Sequence, residues 1–156
     1  MMGQTVRKAS LKDAESTLHV INASNREAFS KIIPKEYFKE PILSMKELLR
    51  DFKRMTFYVF EGDRGVVGVS ALKVEGDVGR IRWVYVLPEH QRKGIGTALI
   101  RNIEKEAREI GLKKLWLLTS EKAYWAVNFY KKHGYKLVDR IKRPYGYDVI
   151  MEKEML

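Results

Sequence analysis

A glycine-containing segment between an apolar strand and an amphipathic helix restricts the fold more than any other feature. Arg80–Leu87 is an apolar run of strand length that Pro88 ends, and Gly111 stops the helix that follows. The apolar residues of that helix recur at helical spacing: Ala98, Leu99, Ile103, Ala107 and Ile110. Because the strand-like run Lys114–Thr119 comes next, the helix predicts a crossover between parallel strands and a mixed α/β domain.

Turn signals divide the rest of the chain into further elements. Two capping boxes, Ser10–Asp13 and Ser44–Glu47, each predict a helix start, and the second helix is expected to end near Arg54. The first helix is expected to place four apolar residues on one face: Leu11, Ala14, Leu18 and Ile21. The other predicted elements are the strands Thr5–Ala9, Thr56–Glu61, Val66–Val74, Tyr135–Arg140 and Tyr147–Glu152 and the helix Tyr124–His133. Asn25–Pro41 holds two prolines, which favours broken helical turns near a surface cleft.

Composition bounds the class of protein. With 156 residues, 45% of them apolar, the chain has the usual size of a single domain covering residues 1–156. The absence of cysteine excludes disulfides, thiolate metal sites and a cysteine nucleophile, and it favours a reducing cytoplasm. No apolar run approaches the length of about 20 residues that crosses a bilayer. We therefore expect a soluble cytoplasmic protein without a membrane partner.

A net charge of +10 favours a polyanionic ligand, which includes nucleic acid, an acidic membrane or a multiply phosphorylated cofactor. The basic runs are Lys113–Lys114, Lys131–Lys132 and Lys136–Arg143. They come with neither an aromatic RNA-binding signature nor a recognised DNA-binding motif. The sequence therefore argues against nucleic acid as the partner, although a basic nucleic-acid-binding protein remains an alternative.

The segment Gln91–Thr97 lies where backbone N–H groups at a helix start attract phosphate. Gly94 and Gly96 let the backbone approach an anion closely, and Arg92 and Lys93 add positive charge. The alternative is an ordinary strand-to-helix turn that needs two glycines. A dinucleotide fingerprint and a P-loop are both excluded, because the third small residue and the Gly-Lys-Ser/Thr sequence are missing.

This segment resembles motif A of the GNAT (GCN5-related) N-acetyltransferases, whose Q/R-x-x-G-x-G/A pattern is met by Gln91, Gly94 and Gly96. The resemblance extends over Thr56–Met151 and implies the GNAT fold, a mixed and mostly antiparallel sheet flanked by helices. It also implies acetyl-CoA as the cosubstrate and no metal. The residues that it assigns to the cofactor are Val84, Tyr85 and Val86, whose backbone pairs with the pantetheine amides on a splayed strand, and Gln91, Arg92, Lys93, Gly94, Ile95, Gly96 and Thr97 at the phosphates.

A second segment, Ala123–Tyr135, resembles the A-x-x-F-Y-x-x-x-G-F/Y pattern of the same family. By that resemblance Tyr130 is the general acid that protonates the departing CoA thiolate, or at least donates a hydrogen bond to it. A phenol with a pKa near 10 suits a leaving group of comparable basicity. The alternative for Tyr130 is an aromatic residue on the core face of its helix, since Ala123 and Val127 share its helical spacing.

Two departures from the family pattern limit the resemblance, and the second leaves the general base unassigned. Many relatives have an asparagine that contacts the pantetheine arm seven residues before the tyrosine, where this chain has Ala123, and Asn128 is a different position. Relatives also often have a glutamate at places that correspond here to Arg80 and Leu118. Other candidates for the base are the glutamates of the irregular segment, Glu27, Glu36 and Glu40, although each is also typical of a solvated surface. The three histidines, His19, His90 and His133, do not have metal-ligand spacing.

The sequence thus predicts an enzyme that moves the acetyl group of acetyl-CoA directly to a primary amine. The acceptor stays open among a protein N-terminus, a lysine and a small amine, because Asn25–Pro41 and Lys142–Tyr147 carry no readable motif. Tyr145, Tyr147 and Asp148 are loosely similar to the acceptor-side hairpin of protein N-terminal acetyltransferases. A noncatalytic acyl-CoA-binding module is the alternative function, and a homodimer stays open.

Overall fold

The computed structural model describes residues 5–155. The strands of this part of the chain are β1 (Thr5–Lys8), β2 (Thr56–Gly62), β3 (Gly65–Glu75), β4 (Val78–Val86), β5 (Lys114–Ser120), β6 (Lys136–Arg143) and β7 (Gly146–Glu154). The helices are α1 (Ala14–Phe29), α2 (Met45–Arg54), α3 (Ile95–Ile110) and α4 (Tyr124–Lys132). Short 3-10 turns lie at Leu11–Asp13, Lys35–Tyr37 and Pro88–His90.

The strands form one seven-stranded sheet in the order β1-β2-β3-β4-β5-β7-β6. β4 and β5 pair in parallel, and the other neighbouring strands pair antiparallel. The parallel pair is the crossover through α3 that the strand–helix–strand order predicts. The expected mixed, mostly antiparallel sheet flanked by helices is therefore confirmed.

Helices cover the two faces of the sheet differently. On one face, Leu72 and Ile81 share a buried cluster with Ile100 and Ile103 of α3. On the other face, α1 packs against β3 and β4, and α2 packs against β2. Ala71 of β3 lies on this face, in one buried cluster with residues of α1. Because side chains alternate along a strand, the register with β3 fixes which face each residue of β4 occupies.

Two expectations for the first helix and the segment after it were wrong in detail. Leu11 lies in a 3-10 turn and is 70% exposed, so it does not share the buried face of Ala14 and Ile21. The helix also continues to Phe29, so that Asn25 is helical and buried instead of irregular. The broken turns begin only after α1 and include Lys35–Tyr37.

Within residues 5–155, no helix is both long enough and apolar enough to cross a membrane.

Candidate active site

β4 and β5 separate soon after they begin. Val78, Gly79 and Arg80 pair with Lys114, Leu115 and Trp116, and the parallel register then ends. The remaining residues of β5 continue to pair with β7, and the remaining residues of β4 continue to pair with β3. The two strands therefore part into an opening whose β4 edge has no strand partner.

A β-bulge in β4 lies at the start of this opening. Ala71 pairs with Arg82 and Val69 pairs with Tyr85, so Trp83 and Val84 both oppose a single residue of β3. Trp83 adopts a φ of 54°, a left-handed conformation that is unusual for a bulky residue. Its indole Nε1–H donates to Oδ2 of Asp51 on α2 over 3.1 Å. The bulge turns the β4 edge away from β5.

Backbone groups after the bulge face the opening. The N–H of Leu87 donates to the carbonyl of Val67 on β3 over 2.9 Å, so the carbonyl of Val86 points to the other side. That carbonyl already accepts from Oγ of Ser24 at 3.2 Å and from Nε2 of Gln91 at 3.1 Å. By the same alternation, the carbonyl of Val84 and the N–H of Val86 also point into the opening. These two groups have the spacing to pair with an extended chain that carries amides.

The loop between β4 and α3 leaves a helix start without a side-chain cap. Arg92 has a φ of 64° and Gly94 a φ of 80°, and no side chain caps α3 at Gly94. A Cβ at Gly94 would meet no atom within 4 Å, so glycine is needed there for its conformation and not for space. Arg92 and Lys93 are exposed beside the free N–H groups of the first helical turn. The loop can therefore hold phosphate.

Several side chains of this loop pack inside the protein. Ile95 is 6% exposed, so only its backbone is available to a ligand. A Cβ at Gly96 would lie 3.3 Å from the ring of Phe129, so Gly96 allows α3 and α4 to approach each other closely. Oγ1 of Thr97 lies 3.2 Å from Nε2 of His133, which follows α4, so it belongs to the same contact between α3 and α4.

Tyr130 is buried where α4 meets the sheet. It is 8% exposed and packs edge-on against Tyr135, with ring centroids 5.6 Å apart. Burial raises the pKa of Tyr130 above its ordinary value, and the nearby phenol of Tyr85 raises it further. At neutral pH this phenol is therefore protonated, and it can donate a proton or a hydrogen bond.

Tyr85 lies on the face of the sheet opposite to Tyr130, because it pairs with Val69 among the buried residues that pack on α1. Its hydroxyl donates to Oδ1 of Asn25 over 3.1 Å. Burial raises the pKa of Tyr85 to about 12, so this phenol is also protonated at neutral pH. The two phenols lie on opposite faces of the sheet, near enough for Tyr85 to raise the pKa of Tyr130.

Aromatic contacts partly enclose the Tyr85 side of the opening. Phe29 at the end of α1 lies 6.2 Å from Trp125 of α4, measured between ring centroids. Tyr37 in the following segment lies 5.7 Å from Tyr145 in the β6–β7 turn. The segment after α1 therefore bridges across to α4 and to that turn.

The positions considered for a general base do not form a catalytic group. Arg80 and Leu118 lie on the sheet, and Glu40 pairs with Arg26 at the surface. Glu27 and Glu36 are exposed. Ala123 is fully buried and Asn128 is exposed. Among residues 5–155, no three His, Asp or Glu side chains are grouped so as to hold a metal ion.

The geometry adds residues that sequence reasoning missed. Ser24 and Asn25 of α1 contact Val86 and Tyr85, about sixty positions further along the chain. Trp83 creates the bulge, although tryptophan carries no local signal for a positive φ. The adjacent polar residues Ser24 and Asn25 are the sequence signal that could have indicated this contact.

Comparisons with known proteins agree with this geometry. A curated relative, spermidine N(1)-acetyltransferase from Thermoplasma acidophilum, is 27% identical over 98% of this chain and 98% of its own length. The crystal structure of PaiA N-acetyltransferase from Thermoplasma acidophilum in complex with coenzyme A has a TM-score of 0.82 at 25% identity, covering 98% of this chain and 99% of that one. Spermidine N-acetyltransferase from Vibrio cholerae, in complex with CoA and spermine, shares the fold with a TM-score of 0.76 at 19% identity, covering 99% of this chain and 97% of that one.

The family model for acetyltransferases of the GNAT family matches residues 18–135, which is more than half of the chain. This match includes the β4 edge, the loop before α3 and Tyr130. The resemblance that the glycine loop and the α4 segment indicate is thus confirmed. The chain belongs to the acetyltransferase (GNAT) family.

Proposed function

We propose that the protein transfers the acetyl group of acetyl-CoA directly to a primary amine at the opening between β4 and β5. The observation that carries the proposal is the unpaired edge of β4, which ends at an uncapped helix start. A pantetheine arm carries amides that match the first feature, and its pyrophosphate matches the second. The family assignment supports the same activity.

The donor would be held mainly by the backbone. The carbonyl of Val84 and the N–H of Val86 would pair with the pantetheine amides, as an added strand pairs with a sheet edge. The N–H groups of Ile95, Gly96 and Thr97 would bind the pyrophosphate, and Arg92 and Lys93 would add charge. Gln91 would act indirectly, because its amide holds the carbonyl of Val86.

The acetyl donor supplies a thioester, whose cleavage leaves a thiolate. Tyr130 would donate its phenolic proton to that sulfur, and the amine would lose a proton to water as its nitrogen forms the new bond to the acetyl carbon. The raised pKa keeps Tyr130 protonated at neutral pH and argues against a base. Because burial also disfavours the phenolate, Tyr130 would take a proton back from water as the CoA thiol leaves. A backbone N–H of β4 would stabilise the oxygen of the acetyl group as charge develops.

The acceptor would enter from the face that carries Tyr85, because α3 and α4 occupy the other side. A protein N-terminus, a lysine and a small amine all contain the required primary amine. The curated relative is named for spermidine, which supports including polyamines among the small amines to be tested. The bridge between Tyr37 and Tyr145 would limit the size of what enters.

We also propose that the chain is a single domain that works in the cytoplasm. The continuous sheet supports this organisation, since it joins strands from both ends of the described chain. The lack of cysteine supports a reducing compartment. A homodimer is an alternative that size-exclusion chromatography with light scattering would decide.

Two measurements test the proposed activity against its alternatives. Acetyl-CoA should raise the melting temperature, and free CoA thiol should appear when an acceptor amine is added. Binding without thiol release across a wide panel of amines would instead indicate a noncatalytic acyl-CoA-binding module. A failure to bind acetyl-CoA, together with salt-dependent binding of oligonucleotides, would overturn the proposal in favour of a nucleic-acid-binding protein.

A further inference from the structure

Two arginines share the face of β4 that carries Tyr85. Arg80 pairs with Lys73, Arg82 pairs with Ala71, and Ile81 between them belongs to the buried cluster beneath α3. The alternation of side chains therefore places both arginines on the face towards α1 and α2. Arg80 lies in the last paired position before β4 and β5 part, and Arg82 lies just after it.

Both guanidinium groups lack a counter-charge, which is uncommon for arginines at this depth. In the described part of the chain, several arginines have no carboxylate oxygen within 4.0 Å. Most of these are exposed at the surface: Arg50, Arg54, Arg64, Arg92, Arg101 and Arg108. Arg80 and Arg82 are the two of this kind that are half-buried. A partly desolvated cation without a partner is costly, so an anion that reached these groups would be stabilised.

The carboxylate whose charge acts on Arg80 does not satisfy it. Glu75 is that residue, and its Oε1 accepts from Nε1 of Trp116 at 3.0 Å while its Oε2 lies 3.7 Å from Nζ of Lys73. Nε of Arg80 is buried without a hydrogen-bond partner among residues 5–155. Burial lowers the pKa of Arg80, and the neighbouring charge of Arg82 lowers it further. The pair therefore remains electrostatically incomplete.

Aromatic rings hold the two guanidinium groups in place. Cζ of Arg80 lies 4.7 Å from the ring centroid of Trp116, and Cζ of Arg82 lies 4.8 Å from that of Trp83. A stacked guanidinium keeps the N–H groups at its edge available, and these match the two oxygens of a carboxylate. The rings thus prepare a fork-shaped donor surface before any ligand arrives.

This donor surface adjoins the proposed reaction centre. Arg82 and Tyr85 pair with Ala71 and Val69, which are two residues apart on β3, so about 7 Å separates them along the strand. Arg82 is near enough for its charge to lower the pKa of the Tyr85 phenol, against the larger effect of burial. On the neighbouring strands, the half-buried Leu118 and Ile150 form an apolar floor. An acceptor whose amine reached the opening would place its own substituents over these residues.

We propose that the acceptor amine carries a carboxylate, which Arg82 and Arg80 bind through their guanidinium groups. The inference rests on the proposed acetyl transfer and narrows its substrate class. A polycation is disfavoured at this surface, because two unpaired positive charges would repel it. A free amino acid and a peptide with an acidic residue near its N-terminus both carry a primary amine with a carboxylate close to it.

The wild-type enzyme can test this without any substitution. Release of CoA thiol is compared for matched acceptors: alanine with alaninamide, C-terminally amidated tripeptides that begin with aspartate and with asparagine, and spermidine. We expect kcat/KM to be roughly 10- to 100-fold higher for the carboxylate of each pair, the range for a charged hydrogen bond. The amino acid and peptide arms show which source the enzyme uses.

Variants then assign the preference to the arginines. Arg82→Gln should raise KM for the carboxylate acceptor roughly tenfold or more, with the dissociation constant of acetyl-CoA unchanged. Arg82→Lys keeps the charge but loses the two parallel N–H donors of the guanidinium. Its KM for the carboxylate acceptor should therefore lie between those of wild type and Arg82→Gln. Arg64→Gln, an exposed arginine in the β2–β3 turn, is the matched control and should behave as wild type.

Three results would overturn the inference. Faster turnover of spermidine or of the amide member of each pair would show that no carboxylate is recognised, while leaving acetyl transfer intact. A carboxylate preference that persisted in Arg82→Gln and in Arg80→Gln would assign it to other residues. Thiol release with none of the acceptors, despite binding of acetyl-CoA, would overturn the proposed function itself.

Discussion

Tyr85 donates its hydroxyl to Oδ1 of Asn25 over 3.1 Å, and this bond joins the open half of β4 to helix α1. Oγ of Ser24, the preceding residue, donates to the carbonyl of Val86 at 3.2 Å. One turn of α1 therefore supports both the side chain and the backbone of β4 where that strand has lost its β5 partner. The helix replaces the missing strand as the support of the opening.

Removal of the Tyr85 hydroxyl should destabilise the protein and impair use of the acceptor. Tyr85→Phe leaves the buried Oδ1 of Asn25 without a donor, which costs about 1–2 kcal/mol. Urea unfolding should report that loss, and steady-state kinetics should show a raised KM for the amine. Tyr124→Phe is the control, because Tyr124 is 69% exposed. Equal stabilities of Tyr85→Phe and the control would show that the bond contributes nothing.

Loss of the Tyr130 hydroxyl should slow the chemical step. We expect Tyr130→Phe to lower kcat by about 100-fold, the lower end of the range for general acid catalysis, with little change in acetyl-CoA affinity. Single-turnover kinetics and calorimetric titration with acetyl-CoA measure the two quantities separately. A leaving thiol of low pKa in the acyl donor should restore part of the rate, because it needs no proton. An unchanged kcat would remove Tyr130 from the mechanism.

Glycine at position 94 should matter to the donor beyond its effect on stability. Gly94→Ala forces alanine to a φ of 80°, which costs about 1–2 kcal/mol, and the strain distorts the start of α3. Gly76→Ala is a matched control, since Gly76 has a φ of 66° and its Cβ would also meet open space. Both variants should lose similar stability, whereas Gly94→Ala alone should weaken binding of CoA. Equal CoA affinities would argue against a phosphate site in this loop.

Acid should weaken the attachment of α1 through Asp13. Arg7 donates two hydrogen bonds of 2.9 Å to this carboxylate and lowers its pKa from 3.8 to about 2. A carboxyl with a lower pKa in the folded state stabilises the protein above its unfolded pKa and loses that effect as the pH falls through the folded value. The contribution is therefore complete at pH 7, at most about 2.5 kcal/mol, and declines from about pH 4 to pH 2.

Asp13→Asn measures that contribution. Its deficit in unfolding free energy relative to wild type should be largest near pH 7 and should shrink below pH 4. Asp63→Asn, in the exposed β2–β3 turn, is the control variant and should keep the wild-type free energy of unfolding at pH 7. A deficit for Asp13→Asn that stayed constant down to pH 2 would show that packing, and not charge, is responsible.

The order of elements follows from the sequence because its signals are local. Pro88 ends a strand, Gly111 takes a φ of 92° as the C-cap of α3, and the apolar period changes between them. The helix nevertheless begins at Ile95, earlier than its apolar spacing indicates, because Gly94 is the N-cap. Leu11 fits the helical period and still lies outside the core, since a 3-10 turn precedes α1.

The residues that shape the opening depend on distant contacts. Trp83 reaches its left-handed conformation with its indole bonded to Asp51, which is 32 positions away. Asn25 becomes part of the site only when α1 lies across β4. The sequence predicts that Gly96 lets the backbone approach an anion, whereas in the structure its missing side chain also makes room for Phe129. No periodicity or spacing reports such pairings, because they arise from tertiary packing.

The two sides of the opening differ in how they can change during evolution. The donor side consists largely of peptide groups, which every residue other than proline at position 84 or 86 supplies alike. The acceptor side consists of side chains, and Arg82 and Tyr85 are among them. They project from the face of β4 towards α1, whereas the donor groups lie along the edge of the same strand. After a gene duplication, substitutions on one face of β4 can therefore change the acceptor while the machinery for the acetyl donor is inherited intact.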